Sequence, residues 1–382
     1  MLVKYLRTLS TRGLVALAAV VTLLAVGGTT IAMATGGSGP VPAGKPLPTA
    51  IHEGLAASKP AGITARIIFT NGLLPNGALL GQAGSALMSG ASGRLWMRDD
   101  GRGRLELQSN AGDVQIVWKQ GQATVYDASS NTVYRIHLPA GQRQTARQHT
   151  PPSVAGIGAF LAQLTKHANV SSAQPSNVGG RPAYTVQLSP KEPGGLLGSV
   201  RLAWDATRGV PLRAAVYARG GTKPVLELRA TSIKYGSVPL STVAIAPPAG
   251  ARVVDLAAPS GGKQGKSEAR QAKLPFQVVA PDSLAGLKHS ATRVVGHGQH
   301  RGVLVVYGEG LGAITVLERK AGSGSATAQL KALPTVPLDG VEGHELATPL
   351  ATALTWDRGG VTYVLAGSVK PSVAESAARS LR

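Results

Sequence analysis

The sequence contains no cysteine in its 382 residues. This absence excludes disulfide bonds, cysteine-ligated zinc, a thiol nucleophile and lipid attachment through an N-terminal cysteine. Aromatic residues are also scarce, at 4%. Acidic residues number only 19 against 39 basic ones, and the net charge of +20 favours anionic surroundings such as a membrane or a wall polymer. The basic residues are scattered without aromatic interleaving, so nucleic acid is not a predicted partner.

The common catalytic motifs are missing as well. The sequence has no G-x-S-x-G elbow, no H-E-x-x-H pair and no phosphate-loop lysine motif. Asp99 and Asp100 are adjacent, so on a strand they would point to opposite faces, and Asp-Asp-Gly is ordinary turn sequence. A scattered group of six residues without a supporting ligand pattern comes nearest to a metal site: His289, His297, His300, Glu342, His344 and Glu345. We therefore expect a protein that is not an enzyme and that uses no metal or cofactor.

One glycine pattern resembles a dinucleotide-binding fingerprint. Gly308, Gly310 and Ala313 satisfy G-x-G-x-x-G/A directly after an apolar run. The fingerprint has meaning only where a helix begins at its end, because the pyrophosphate binds at a helix N-terminus. The following residues, "AITVLE", are β-branched and alternate as in a strand. The stretch therefore predicts a glycine-rich β-hairpin, with strand 303–307 turning back into strand 313–318.

The first residues indicate the compartment. A basic start precedes the uncharged apolar segment 13–26, and "AMA" at 32–34 has the small-residue spacing of a signal-peptidase site. The apolar stretch is also long enough to remain as a membrane anchor. Residues 1–34 are therefore either a signal peptide or a single N-terminal membrane helix. Both alternatives place the rest of the chain outside the cytoplasm, in the periplasm or cell envelope.

The remaining chain divides into two predicted domains. The N-terminal domain covers 45–256, and from Ser92 to Leu138 it reads as a meander of antiparallel strands separated by turn sequences. Residues 257–273 are polar and lack core-forming residues, which is typical of a linker. A smaller C-terminal α+β domain covers 274–382, and it includes a second hairpin across Gly359 and Gly360 and a final helix.

Two helices are predicted in the N-terminal domain. "PTAIHEGLAAS" suits a short helix with Thr49 as its N-cap. The segment 152–168 is the better candidate, with Ser153 as N-cap and with Val154, Ile157, Leu161 and Leu164 on one face. A long meander with one or two helices over its inner face is an α+β design.

The meander resembles a known family, the LolA-type lipoprotein carriers and the related MucB/RseB sigma-factor regulators. The resemblance is carried by "GRLWMRDDGRGRLEL", "IVWKQGQATVYDASSNTVYRI" and "APPAGARVVD". The stretches "LPFQVVAPDSLAG", "YGEGLGAITVLE" and "GVTYVLAGSVKPSVAESAARSL" are similar to the smaller C-terminal domain of MucB/RseB proteins. The two-domain layout is therefore closer to the regulator than to the single-domain carrier.

The resemblance implies a fold and a function. The fold is an antiparallel half-barrel with a helical lid, whose N-terminal domain holds acyl chains or senses lipid. In the regulators the C-terminal domain contacts the extracytoplasmic part of a membrane anti-sigma factor. The sequence departs from the carriers after Leu95 and Trp96: Arg98 is present, but Asp99 and Asp100 follow it. The arginine that holds the helical lid closed in the carriers is therefore missing from this part of the sequence.

These observations define a first hypothesis about the site. Alternation and family position predict an apolar cleft that takes a lipid or an acylated ligand, and it is lined by Leu95, Met97, Leu105, Leu107, Ile116, Trp118, Val125 and Leu161. The protein is then an extracytoplasmic lipid-binding protein, with an anti-sigma factor as a possible protein partner. The alternative is a structural or envelope-interaction protein whose half-barrel is filled by its own side chains. Its basic surface would then adhere to an anionic membrane or wall.

Overall fold

The computed structural model describes residues 39–73, 86–119, 121–137, 151–191, 194–256, 274–296, 301–322 and 333–381. They form two compact units. The N-terminal unit contains 39–191 and 198–256, and the C-terminal unit contains 274–381 together with 194–197. The predicted signal or anchor segment 1–34 and the predicted linker 257–273 lie outside the described residues. Within the described ranges, no helix is both long and apolar enough to cross a membrane.

The N-terminal unit is built on one large sheet that curls into a half-barrel, and its strand pairs are antiparallel except that β13 runs parallel to β6. Its strands are β1 (Gly62–Asn71), β2 (Ala91–Arg98), β3 (Gly103–Ser109), β4 (Gly112–Lys119), β5 (Gln122–Asp127), β6 (Thr132–His137), β7 (Ala168–Val170), β8 (Gln174–Val178), β9 (Arg181–Pro190), β10 (Leu197–Asp205), β11 (Pro211–Ala218), β12 (Leu226–Tyr235) and β13 (Arg252–Leu256). Their spatial order is β13-β6-β5-β4-β3-β2-β1-β12-β11-β10-β9-β7, with β8 also paired to β9. The predicted meander is therefore the run from β2 to β6. The half-barrel α+β fold is confirmed.

The turns of the meander follow the predicted chemistry. Asp99 and Asp100 lie in the turn between β2 and β3, where Gly101 has a φ of 80°. The Asp100 carboxylate accepts the backbone N–H of Arg102 at 3.0 Å, and this bond, followed by the Arg98 side chain, lowers the pKa of Asp100. The interpretation of this pair as a turn is therefore confirmed.

Four short helices accompany this sheet in the part of the chain that is described: α1 (Leu47–Ala56), α2 (Ala86–Ser89), α3 (Val154–Leu164) and α4 (Leu240–Val243). The predicted cap of α3 is confirmed, because the Ser153 hydroxyl accepts the N–H of Gly156 at 3.1 Å. The predicted cap of α1 is wrong. That helix begins earlier, after Pro46, without a side-chain cap, because the fixed φ of Pro48 suits the first turn and leaves Thr49 inside the helix.

The C-terminal unit has an antiparallel sheet of its own and, among its described residues, one α-helix, α5 (Pro371–Ser380). Its strands are β14 (Ser283–Leu284), β15 (Leu287–Val295), β16 (Gly302–Tyr307), β17 (Ile314–Lys320), β18 (Thr335–Leu338), β19 (Val341–Ala347), β20 (Thr352–Arg358) and β21 (Val361–Gly367). Their order is β14-β15-β16-β17-β21-β20-β19-β18. The hairpin predicted across Gly359 and Gly360 joins β20 to β21, and the predicted final helix is α5.

The glycine pattern at 308–313 is a hairpin and not a nucleotide site. Strands β16 and β17 pair antiparallel, from Gly302 opposite Arg319 to Tyr307 opposite Ile314. A single 3₁₀ turn, Gly310–Gly312, connects them, and β17 begins where a dinucleotide site would need a helix. Gly308 has a φ of 73°, a conformation that favours glycine, so the turn geometry explains the glycine there.

Candidate functional site

The strand register places seven of the eight predicted cleft residues on one face of the N-terminal sheet. Residues directly opposite each other in paired strands share a face. Leu95 lies opposite Leu105, Leu105 opposite Ile116, and Ile116 opposite Val125. Alternation along β2, β3 and β4 adds Met97, Leu107 and Trp118 to the same face. We call this surface the apolar face.

The apolar face is buried, and it continues beyond the meander. Leu105, Leu107, Ile116 and Trp118 are buried, and Leu95, Met97 and Val125 are partly buried against them. The same cluster extends onto β1 and β12, which contain none of the predicted cleft residues. The added side chains are Ile63, Ala65, Ile67, Phe69, Leu228, Ala230 and Ile233. The alternation in "GITARIIFTN" carried the signal for the β1 residues.

Leu161 does not belong to this cluster. It lies on α3, and it packs with Tyr184, Leu202 and Trp204 in a separate cluster that also includes Leu47 and Ala50 of α1. Helices α1 and α3 contact each other, and the His52 Nδ1 atom lies 2.8 Å from the Pro152 carbonyl oxygen just before α3. The helix pair therefore covers the β9–β10 side of the sheet, and Leu161 is corrected from a cleft position to a packing position in this second cluster.

A small recess opens in the apolar face beside α2. It has a volume of about 20 Å³ and is lined by Phe69, Leu87, Leu105, Leu107, Leu226, Glu227 and Leu228. This volume holds one or two water-sized groups and not an acyl chain. The Asn71 amide donates to the Leu87 carbonyl oxygen at 2.7 Å and so fastens α2 over the recess. An apolar ligand would have to displace α2 or neighbouring side chains to enter.

Over β2 and β3, the opposite face of the sheet carries Trp96 together with arginine side chains. Trp96 lies opposite Arg104 in the register, and its ring is 5.2 Å from the Arg104 guanidinium. Arg104 also donates to the Thr242 carbonyl oxygen at 3.2 Å, and Arg98 donates to that of Val238 at 2.5 Å. The two arginines thus hold the segment around α4 against this outer face. Trp96 therefore lies on the face opposite the apolar face.

The C-terminal unit contains a buried carboxylate. Glu318 is fully buried on β17, opposite Tyr363 of β21, which in turn lies opposite Trp356 of β20. The Trp356 and Tyr363 rings stack at 5.1 Å. One Glu318 oxygen accepts the N–H of Val279 at 2.9 Å, whereas the other has no hydrogen-bond partner among the described residues. Burial raises the pKa of Glu318 to about 7.

The histidines and acids weighed as metal ligands do not assemble in the described part of the chain. No group of three or more histidine, aspartate or glutamate side chains comes together there. His289 lies 2.7 Å from the Thr292 hydroxyl and packs edge-on against Tyr307, and His344 lies 3.2 Å from the Leu333 carbonyl oxygen. His297 and His300 lie outside the described residues.

Comparison with solved structures finds MucB and a LolA-superfamily protein among the proteins similar to this chain. Solved structures of MucB resemble this chain. MucB in complex with MucA(peri) matches 88% of this chain and 96% of its own, at 15% identity and a TM-score of 0.43. The Pseudomonas aeruginosa MucA/MucB complex covers 88% and 95%, at 14% identity and a TM-score of 0.40. A LolA-superfamily protein from Nitrosomonas europaea matches 52% of this chain and 97% of its own, at 10% identity and a TM-score of 0.22.

The comparisons on sequence are negative. No family model matches the chain, and no curated protein matches it. At the identities of the solved structures the likeness concerns the fold alone, so the role of the apolar face has to be argued from this chain's own residues.

Proposed function

We propose that the protein is an extracytoplasmic, non-enzymatic binding protein whose apolar face takes an acyl chain. The observation that carries the proposal is the continuous one-sided apolar face of the curled sheet, from β5 through β1 to β12. Among the described residues, the helix over its recess is the four-residue α2. A face of this kind can admit a flexible apolar ligand without rearranging the sheet. The apolar segment near the start of the sequence supports the location outside the cytoplasm.

Opening of the recess limits the affinity. Each buried methylene contributes about 0.8 kcal/mol, so a chain that buries ten of them gains roughly 8 kcal/mol before entropy costs. The bond from Asn71 to the Leu87 carbonyl oxygen and the packing of α2 have to be given up first. The apparent affinity is then reduced by the small fraction of molecules that are open. We therefore expect weak, saturable binding.

The test is titration of the protein with a fluorescent fatty acid, without vesicles. Asn71→Ala removes the bond that fastens α2, and we expect it to tighten binding of the probe because the open state costs less. Leu228→Trp adds bulk to the recess, and we expect it to weaken binding. Asn177→Ala is the matched control, because its amide makes a similar bond to the Pro40 carbonyl oxygen, away from the apolar face. Unsaturable binding by the parent protein, or equal affinities for all four proteins, would contradict the proposal.

The filled half-barrel is the second candidate, and the small size of the recess favours it. In that case the side chains of the apolar face are a conventional core, and the net charge of +20 attaches the protein to an anionic membrane or wall polymer. The same titration separates the two functions, because a filled core shows no saturable binding of the fatty acid in any variant.

We further propose a protein partner for the C-terminal unit, in the class of membrane anti-sigma factors. The support is the sequence resemblance of three stretches in 274–382 to MucB/RseB proteins, and MucB itself is known in complex with MucA(peri). Isothermal titration of the protein with the extracytoplasmic part of such a factor tests this. Absence of heat exchange with every such factor of the source genome would contradict it.

A further inference from the structure

Arginine side chains cross four neighbouring strands on the face of the N-terminal sheet opposite the apolar face. Strands β2, β1, β12 and β11 are consecutive in the sheet. In that order they contribute the residues that we call the arginine track: Arg94, Arg66, Arg229 and Arg213. The residue next to each arginine belongs to the cluster of the apolar face: Leu95, Ile67, Leu228 and Leu212. Because side chains alternate between the faces of a sheet, the four arginines lie on the other side.

The strand register brings these arginines next to one another. Arg66 lies directly opposite Arg94, and Arg213 lies directly opposite Arg229. Arg229 also lies opposite Ile68, which is two residues from Arg66 on β1. The track therefore runs across four strands without interruption, over about 14 Å at roughly 4.8 Å per strand spacing.

The positive charge of the track is only partly compensated. Like charges directly opposite each other destabilise a sheet. Arg213 and Arg229 both contact the buried carboxylate of Glu227, at 2.5 and 3.7 Å, and Glu227 is the only acidic residue in these four strands, all of which are described. Arg66 and Arg94 are exposed, and neither forms an ion pair within the described residues. The acid opposite Arg94 on β3 is already paired with Arg104.

The end of the track at β11 also lacks an acceptor. Arg201 of β10 stacks 4.4 Å from the ring of Tyr217, whose hydroxyl accepts a hydrogen bond from Arg213 at 3.3 Å. The Arg201 Nε atom is buried and has no hydrogen-bond partner among the described residues. The longer stretches outside those residues are neutral or basic in sequence, so no acidic segment of the chain itself can neutralise the track. Its charge complement has to come from another molecule.

We propose that the arginine track binds a linear polyanion that carries phosphate groups and lies across the strands. The guanidinium fork pairs with phosphate through two parallel hydrogen bonds. Because the sheet curls, arginines on successive strands do not share a plane, and a flexible polymer can follow them where a flat bilayer cannot. A second copy of the chain is a poorer occupant, since a two-fold contact would bring the arginines of both copies together. The proposal goes beyond the acyl-chain site, because the track lies on the opposite face of the sheet.

The test is calorimetric titration of the full chain with long-chain inorganic polyphosphate at several salt concentrations. Tripolyphosphate is the short probe, because it carries the same groups but cannot span the track. The double variant Arg66→Gln, Arg94→Gln removes the exposed, directly opposed pair. The double variant Lys288→Gln, Arg293→Gln is the matched control, since it removes the same charge from exposed positions on β15 of the other sheet. Urea unfolding checks that both variants fold.

We expect polyphosphate to bind more tightly than tripolyphosphate, with an affinity that falls as salt rises. The track variant should lose about fivefold in affinity for each arginine, and its slope of log affinity against log salt should fall by roughly 0.7 for each lost contact. The control variant should change much less. The track variant should not lose folding stability, because the repulsion between opposed charges is removed.

Three results would overturn the proposal. Equal losses in the two double variants would mean that only the net charge attracts the polymer, and equal affinity for both probes would mean a site for a single anion. Binding to vesicles of phosphatidylcholine with phosphatidylglycerol through the same two arginines, without binding of polyphosphate, would assign the track to a bilayer. The fatty-acid titration contains no polyanion and concerns the other face, so the two proposals can fail independently.

Discussion

Replacing Glu318 by glutamine should remove a loss of folding stability that the C-terminal unit undergoes as the pH rises. The carboxyl group is fully buried, and burial raises its pKa from 4.5 to about 7. The folded protein therefore binds this proton more tightly than the unfolded chain does. The stability that the neutral carboxyl contributes is present in full below about pH 4.5, and it is lost as the pH rises through about 7.

The size of the effect follows from the pKa. At about 1.4 kcal/mol per pH unit, a pKa raised from 4.5 to about 7 corresponds to about 3 kcal/mol. Glutamine keeps an oxygen to accept the N–H of Val279 and carries no charge at any pH. We therefore expect Glu318→Gln to become more stable relative to the parent protein as the pH rises. Its relative free energy of unfolding should increase by about 3 kcal/mol between pH 4.5 and pH 8.

The assay is urea unfolding of the full chain at a series of pH values, followed by tryptophan fluorescence. Trp356 stacks on Tyr363 beside Glu318, so it reports the C-terminal transition. Other groups of the C-terminal unit also have shifted pKa values. Burial raises the pKa of Glu345, and burial followed by Glu318 raises that of Tyr307 to about 12. The slope that the other titratable groups of this unit contribute should persist in the variant.

Glu309→Gln removes a charge from the exposed hairpin turn of the same unit and serves as the control. It should leave the pH dependence of the parent protein unchanged. If the stabilities of Glu318→Gln and the parent protein change in parallel between pH 4.5 and pH 8, the Glu318 carboxyl group is not buried in the folded protein.

Two further results are expected. Trypsin should cut first within 257–273, which contains four basic residues, and leave two resistant fragments; a resistant fragment that spans this segment would contradict the two-domain prediction. Gly103→Ala should lower the free energy of unfolding by about 1–3 kcal/mol, because its new Cβ would lie 2.1 Å from the buried Trp118 ring. Gly158→Ala, with open space around its Cβ, should instead raise that energy by about 0.5–1 kcal/mol, and the reverse order would refute the packing argument.

Local patterns predicted the local structure well. Alternation and turn residues located the meander strands, and alternation also put the seven residues of the apolar face on one side. Long-range pairing was not visible in those patterns. The contact of β1 with β12 joins residues more than 150 positions apart, as in the pair Phe69 and Leu228, and no local periodicity encodes it. Glu318 follows Ile314 and Val316 on the inward side of its strand, but a glutamate in a sequence is normally assigned to the surface.

Strand β13 lies at an edge of its sheet, and the segment 257–273 follows it directly along the chain. It pairs in parallel with β6 over five residues, from Arg252 opposite Thr132 to Leu256 opposite Ile136. A pull on the chain at residue 257 would therefore act first on this one ladder. Its release would add roughly 17 Å of chain at about 3.3 Å per residue and would leave the ladders of the meander and of β1 with β12 intact. The edge strand can thus give up its pairing and lengthen the chain that leads to 257–273 while the rest of the sheet keeps its pairing.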